Sequence, residues 1–258
     1  MDAIVTAGGI PKPEEPLFEY TQGKSKALLD VAGKPMIQWV LDALCAADTI
    51  DKIIIMGLPD DGSLNCSKIA HYMPNQGSML ENIRAGILQL KQIKPAAQHA
   101  LIVSSDIPTI TSAMVDWVVD TCMQTDQDVY YNLIQRDVME KRFPGSKRTY
   151  THLKDVEVCG GDMNVIRTMT VTSDDNFFER LISARKSVFK QASLIGYGTL
   201  ILFLLRQLTL EDAIQRVAKR LNLTGRAIIC PFAEVGMDVD KPFQLELVRK
   251  DLAARSAA

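Results

Sequence analysis

Positive charge is not in excess in this chain: 29 Lys and Arg stand against 31 Asp and Glu, a net charge of −2 at pH 7. That balance excludes broad affinity for nucleic acid or for an anionic membrane surface, so a polyanionic ligand has to be met by local cations or by a metal ion. Cysteine is sparse as well. The five present (Cys45, Cys66, Cys122, Cys159, Cys230) are odd in number and scattered, no C-x-x-C occurs, and His71, His99 and His152 have no ligand spacing. A disulfide framework and a structural zinc site are therefore excluded, and a reduced, cytoplasmic setting is expected. The opening MDAIVTAGG lacks the basic region and apolar stretch of a signal peptide. Long hydrophobic runs are missing too: LIGYGTLILFLL (194–205) is about half of the roughly 20 residues a membrane span needs. It reads as a buried helix, with a membrane-surface role as the alternative.

What is present is an ordinary globular composition, 47% hydrophobic over 258 residues, enough for one large α/β domain or two small ones. AIVTA, KIIIMG (52–57) and HALIVSSD (99–106) are short, nearly unbroken apolar runs, and DVYYNLIQ (128–135) reads as a further strand. Between them, apolar residues recur at helical spacing: Met36, Ile37, Val40, Leu41 and Leu44 behind Pro35 in the first turn, then Leu80, Ile83, Ile87 and Leu90, then Met114, Val115, Val118, Val119 and Cys122. Alternating elements with strands apolar on both faces predict a parallel sheet covered by helices on both sides. Ligands of such sheets gather at the carboxyl ends of the strands, where Gly8, Gly9 and Asp106 stand. RTYTHLKDVEV and MNVIRTMTV predict strands flanking Gly160-Gly161, arranged as a hairpin across the sheet edge. Residues 174–222 read as helical, with Leu210, Ile214, Val217 and Leu221 on one stripe. RAIICPF returns to strand and KPFQLELVRKDLAAR closes as a helix. With no linker or repeat, one domain over 1–258 with a helical insertion at 174–222 is expected.

Gly23-Lys24-Ser25 has the ending of a phosphate loop but not its context. The first glycine of G-x-x-x-x-G-K-[ST] would fall on Phe18, and PKPEEPLFEYTQ is not a strand. TAGGIPKPE likewise lacks the third glycine of a dinucleotide fingerprint. Instead, TAGG, a long loop and SKALLDVAGKP (25–35), followed by NQGSMLENIRAGI (75–87), LIVSSDIPTIT (101–111) and MDVDKPFQLELV (237–248), resemble, in that order, the elements of the MobA-like nucleotidyltransferases. The superfamily also holds nucleotide-sugar pyrophosphorylases and cytidylyltransferases. The resemblance implies a Rossmann-like three-layer α/β sandwich of the nucleotide-diphospho-sugar transferase type, with a mostly parallel mixed sheet. It also implies binding of an NTP and Mg2+, and transfer of NMP to a phosphorylated small-molecule acceptor with release of pyrophosphate. One departure is visible: the first loop, IPKPEEPLFEY, lacks the arginine usual in the family, and Lys12 is its only basic residue.

On this resemblance, Ala7, Gly8 and Gly9 bring backbone against the phosphates, since glycine puts no Cβ in the way. Lys26 is the cation beside the α-phosphate, with Lys24 its local rival and Lys34 at the entrance of the next helix. Asp106, followed by Ile107-Pro108, is a metal ligand, Thr111 being better placed to cap the following helix. Asp240, with Asp238 two residues before it on the same side of an extended segment, supplies the second carboxylate, or caps the last helix. Asn75, Gly77 and Ser78 lie near the base or ribose, or serve as a loop and helix cap. Gly160, Gly161 and Asp162 present backbone to the acceptor, or form a hairpin turn. The insertion shapes a large or lipid-linked acceptor site or forms a homodimer surface. A nucleotide-binding sensor without catalysis and a nucleotide-sugar glycosyltransferase are the competing functions.

Overall fold

The computed structural model describes residues 1–172 and 196–256. The chain opens with β1 (Asp2–Thr6) and crosses a loop carrying α1 (Phe18–Thr21) and a small hairpin, β2 (Asp30–Val31) with β3 (Lys34–Pro35), before α2 (Met36–Ala46). Then come β4 (Ile53–Met56), β5 (Ile69–Met73), α3 (Met79–Ile93), β6 (His99–Ser104) and α4 (Ser112–Cys122). β7 (Val129–Gln135), α5 (Arg136–Arg142), β8 (Thr151–His152), β9 (Glu157–Gly160), β10 (Met163–Arg167) and α6 (Met169–Thr172) follow. After residue 196 the chain forms α7 (Tyr197–Leu204), α8 (Leu210–Leu221), β11 (Gly225–Ile229) and α9 (Pro242–Ser256).

The main sheet has nine strands in the order β5-β4-β1-β6-β10-β7-β9-β8, with β11 also paired to β7. Only β9 and β10 run against the rest, so the mixed sheet is mostly parallel. β1, β4 and β6 are nearly unbroken apolar runs because both of their faces are covered. Ala3, Val5, Ile53, Ile55, Leu101 and Val103 pack with Met36, Ile37, Val40, Leu41 and Leu44 of α2 in one core cluster. Ile4, Ile54, Met56 and Ala100 meet Ile83, Ile87 and Leu90 of α3 on the other side. The expected three-layer α/β sandwich is the fold. α2, α3 and α4 bury most of the stripe that sequence spacing marks on each.

The second half differs from expectation in ways that matter for the site. Gly160-Gly161 is not a hairpin turn at the sheet edge. β9 and β10 both pair with β7, and between Leu133↔Gly160 and Tyr130↔Val165 two residues of β7 face four of the other strand. This is a wide bulge in mid-sheet, held because Gly161 N–H donates to Asn132 O, Asn132 N–H donates to Asn164 Oδ1, and Asn164 Nδ2 donates to Gly161 O. A side chain at Gly161 would meet Asn132 O at 3.0 Å. The strand read through MNVIRTMTV stops at Arg167, and Met169–Thr172 turns into helix. Pro35 ends a strand and stands before α2 rather than inside its first turn. β5 and α5 have no counterpart in the sequence reading. Of the insertion expected over 174–222, residues 174–195 lie outside the described residues; 197–204 and 210–221 are helical. Leu204 and Leu205 of the apolar run are exposed, so the buried helix expected there is not found, and no described helix is long and apolar enough to cross a membrane.

Candidate active site

The carboxyl ends of β5, β4, β1 and β6 form a stepped crest. Gly57 N–H donates to Met73 O, Ala7 N–H to Met56 O, and Ser105 N–H to Thr6 O. Each strand thus passes its last donor to its neighbour, and the loops leave the crest in register. The loop after β1 is fixed from two sides. Lys26 N–H donates to Gly9 O, and the Asn75 amide donates to Gly8 O at 2.9 Å. A Cβ on Gly8 would strike the Asn75 side chain at 2.7 Å, so glycine is required for this contact.

The Gly-Lys-Ser triplet is no phosphate loop. Ser25 is buried, donating to Ala7 O at 2.6 Å and accepting from Ala27 N–H, so it ties the long loop to the end of β1. Lys24 is exposed. One residue later the chain turns through a single 3-10 turn, Lys26–Leu28, and brings Lys26 inward. Its Nζ lies 2.5 Å from Asp106 Oδ2 and 2.6 Å from Asp240 Oδ1. The two acidic segments meet in the backbone as well, since Val239 N–H donates to Asp106 O. Burial works against the charge on Lys26, but the two carboxylates outweigh it and raise its pKa above the ordinary lysine value. Lys26 is therefore a fixed cation at any physiological pH.

A second cation that the sequence reading missed completes the cluster. Arg148 pairs with Asp238 and stands 3.9 Å from Asp162, which the Gly161 bulge presents beside the end of β6. Asp162 N–H donates to Val235 O and its carbonyl accepts from Ser104 N–H, so its backbone bridges β6 and the segment before Asp238. Burial, reinforced by the charge of Asp106 and partly offset by Arg148, pushes the Asp162 carboxyl up to about 7. Asp106 Oδ1 and Asp162 Oδ2 are buried without a hydrogen-bond partner. Two cations thus face four carboxylates, and unused lone pairs remain.

The other expected residues divide. Gly8, Gly9, Lys26, Asp106 and Asp240 come together; Asp238 is held by Arg148 instead of Lys26. Asn75 reaches the crest, while Ser78 is occupied as the cap of α3, accepting from Glu81 N–H, and Gly77 N–H donates to Asn75 Oδ1. Thr111 precedes α4, but its side chain makes no capping bond. Lys34 pairs with Asp42 at 2.7 Å over the Trp39 ring, away from the cluster. Lys12 is exposed and its backbone N–H donates to Glu15. No signal in RTYTHLKDVEV sets Arg148 apart from a strand residue. Gly57, beside Gly8, looks in sequence like the end of any strand.

The family model for the MobA-like NTP transferase domain matches residues 18–172, which include Lys26, Asn75, Asp106 and Asp162. The chain belongs to that family. Among solved structures, a hypothetical transferase from Thermus thermophilus is 30% identical, with a TM-score of 0.81 over 95% of this chain and 98% of that one. A CMP:2-keto-3-deoxy-manno-octonic acid synthetase solved with CTP is 14% identical, with a TM-score of 0.60 over 98% and 99% of the two chains. The 4-diphosphocytidyl-2C-methyl-D-erythritol synthase of Anaerococcus prevotii is 10% identical, with a TM-score of 0.58 over 97% and 95%. The last two share the fold alone. A curated relative, the 2-C-methyl-D-erythritol 4-phosphate cytidylyltransferase of Prochlorococcus marinus, is 29% identical over 85 residues, 31% of this chain and 36% of that protein. The match thus spans about a third of the relative's length. The chain is homologous to nucleotidyltransferases.

Proposed function

We propose that this chain is a Mg2+-dependent nucleotidyltransferase that moves NMP from an NTP to a phosphorylated small-molecule acceptor and releases pyrophosphate. The observation that carries the reading is the Lys26 ammonium held between Asp106 and Asp240 beside the Gly8-Gly9 turn. An ammonium has three donors. Two are committed to carboxylates, which leaves one for an oxygen of the α-phosphate. When an acceptor oxygen bonds to the α-phosphorus and the bond to the β-phosphate oxygen breaks, charge grows on the α-phosphate, and a cation already fixed in position stabilises it without reorganisation. Gly8 and Gly9 allow the triphosphate to approach main chain, and their N–H groups are the donors offered to it. Asn75, bonded to Gly8 O, positions that turn and stands with Gly77 on the nucleoside side. Gly160, Gly161 and Asp162 form the acceptor side.

The residues fit a divalent cation. Two cations against four carboxylates leave a formal excess of negative charge, and a triphosphate of about four negative charges would be repelled from it unless a metal came too. Asp106 and Asp240 would hold Mg2+, and the unpartnered Oδ1 of Asp106 is a free ligand atom. Among the described residues no three acidic, His or Cys side chains converge as a closed metal site. Mg2+ takes one or two carboxylates and completes its shell with phosphate and water. Bound there, the ion would neutralise phosphate charge and orient the leaving group. Asp238, the other expected ligand, pairs with Arg148.

The glycosyltransferase alternative would need both carboxylates of Asp238-Val239-Asp240 on one cation, whereas they are engaged by Arg148 and Lys26 separately. A silent nucleotide-binding protein is favoured only by the exposed Lys12 where the family has arginine. Incubating the protein with each of the four NTPs, Mg2+ and a panel of phosphorylated acceptors while following pyrophosphate decides between them. Acceptor-dependent release, lost in Asp106→Ala, is expected. Tight NTP binding with no release across the panel would instead establish the silent binder.

A further inference from the structure

The face of the sheet covered by α3 under β1, β4 and β6 continues across β10, β7 and β11, where Leu221 of α8 packs against the core cluster. Between the rest of that face and the helices α7 and α8 lies a cavity of about 820 Å3. Val129, Tyr131 and Leu133, alternate residues of β7, form its floor, and Leu200 and Phe203 of α7 form part of its roof. The rest of the roof is the stripe Leu210, Ile214, Val217 and Leu221 of α8, a helix with no fully buried residue. An amphipathic helix is held mainly by covering its apolar face, and here that face looks onto the cavity. The lining is mostly apolar; polar groups stand at the start of β11, with Thr224 and Arg226, and at one end, where Asp162 and Asn164 of the bulge stand with Thr6 and Ser104. That end opens on the ion cluster, and Arg148, 3.9 Å from Asp162, keeps a buried Nε without a hydrogen-bond partner.

We infer that the acceptor is an amphiphile: a phosphate ester whose apolar chain fills this cavity and whose phosphate reaches the cluster through the Asp162 end. The inference rests on the nucleotidyl-transfer reading and names its substrate class. A volume of about 820 Å3 lies within the range of pockets that enclose small organic ligands, about 300–1,000 Å3. A small sugar phosphate would leave most of that apolar wall wet, whereas an alkyl chain would dry it. Arg148 and Lys26 supply positive charge for the phosphate beside the Asp162 end.

Straight-chain alkyl phosphates from butyl to decyl, each below its micelle concentration, test this by calorimetric titration of the whole chain with Mg2+ present. Affinity is expected to rise about three- to fourfold per added methylene until the cavity is full. Ala213→Trp, on the cavity side of α8, is expected to flatten the series while leaving the thermal shift given by NTP and Mg2+ unchanged; Leu200→Glu, from α7, does the same if the first variant fails to fold. A flat series in the wild type overturns the inference and leaves the cavity to a segment of this chain or a second copy, and so does a steep series that neither variant alters. If NTP gives a shift and the alkyl series is flat, only the acceptor class is lost. A steep series that the variants abolish, with no response to any NTP, keeps the alkyl-phosphate site and removes the nucleotidyl reading.

Discussion

Replacing Lys26 with methionine is expected to lower kcat for pyrophosphate release by about 10²–10³, or roughly 3–4 kcal/mol of transition-state stabilisation. Methionine keeps most of the side-chain volume and removes the charge. The loss falls on kcat more than on KM, because the charge Lys26 meets is largest as the α-phosphate is attacked, and KM follows ground-state binding, which Mg2+ and the glycine turn share. Lys24→Met is the matched control: Lys24 is exposed, and its removal should change kcat less than twofold. Steady-state rates at saturating NTP check both. A Lys26→Met enzyme within threefold of wild type would remove this residue from the chemistry, and equal losses at both positions would point to a general electrostatic effect of the loop.

The second large effect concerns a residue with no chemistry at all. Gly57 has φ +99°, and a Cβ there would lie 2.3 Å from the Gly8 Cα and 2.5 Å from Gly8 N, both backbone atoms. Neither can move without breaking the crest, since Ala7 is bonded to Met56 and Gly8 O to Asn75. Gly57→Ala combines a left-handed backbone, about 1–2 kcal/mol, with an overpacked contact of about 1–3 kcal/mol. A loss near 3 kcal/mol is expected, seen as a Tm lower by about 6–12 °C for a chain of this size. Gly33→Ala separates the two causes. Gly33 has φ +86° but nothing within 4 Å of the added carbon, so only the backbone cost of about 1–2 kcal/mol should appear. Equal melting temperatures for the two variants would show that the close approach of Gly57 to Gly8 carries no weight.

These two positions also mark what the sequence discloses and what it withholds. Strand runs such as KIIIM and helix stripes such as Met36, Ile37, Val40, Leu41 and Leu44 are legible because burial on a two-sided sheet imposes a period on consecutive residues. Lys26, Asp106 and Asp240 are legible because each follows a recognisable local element, a glycine turn, an apolar strand or D-x-D before a helix. Arg148 and Gly57 owe their importance to contacts with residues distant in sequence, and nothing local distinguishes them. The Gly161 bulge was misread for a related reason. Two adjacent glycines between strand-like runs look like a turn, and only the pairing of both runs with β7, settled by Asn132 and Asn164, makes them a bulge. β5 carries no clear signal in the sequence because IAHYM is an edge strand, exposed at Ala70 and His71, and lacks the unbroken apolar run of its neighbours.

The central claim is that Asp106 and Asp240, joined by Lys26, hold a cation that makes a triphosphate welcome in an acidic cluster. Thermal denaturation with each NTP, with and without Mg2+, on the wild type and on the Asp106→Asn, Asp240→Asn double variant, tests it most directly. Stabilisation of the wild type is expected with NTP and Mg2+ together, about 2.7 kcal/mol at a hundred times the dissociation constant, with little from NTP alone and none in the double variant. An NTP shift that does not need Mg2+, or one the double variant retains in full, would contradict it.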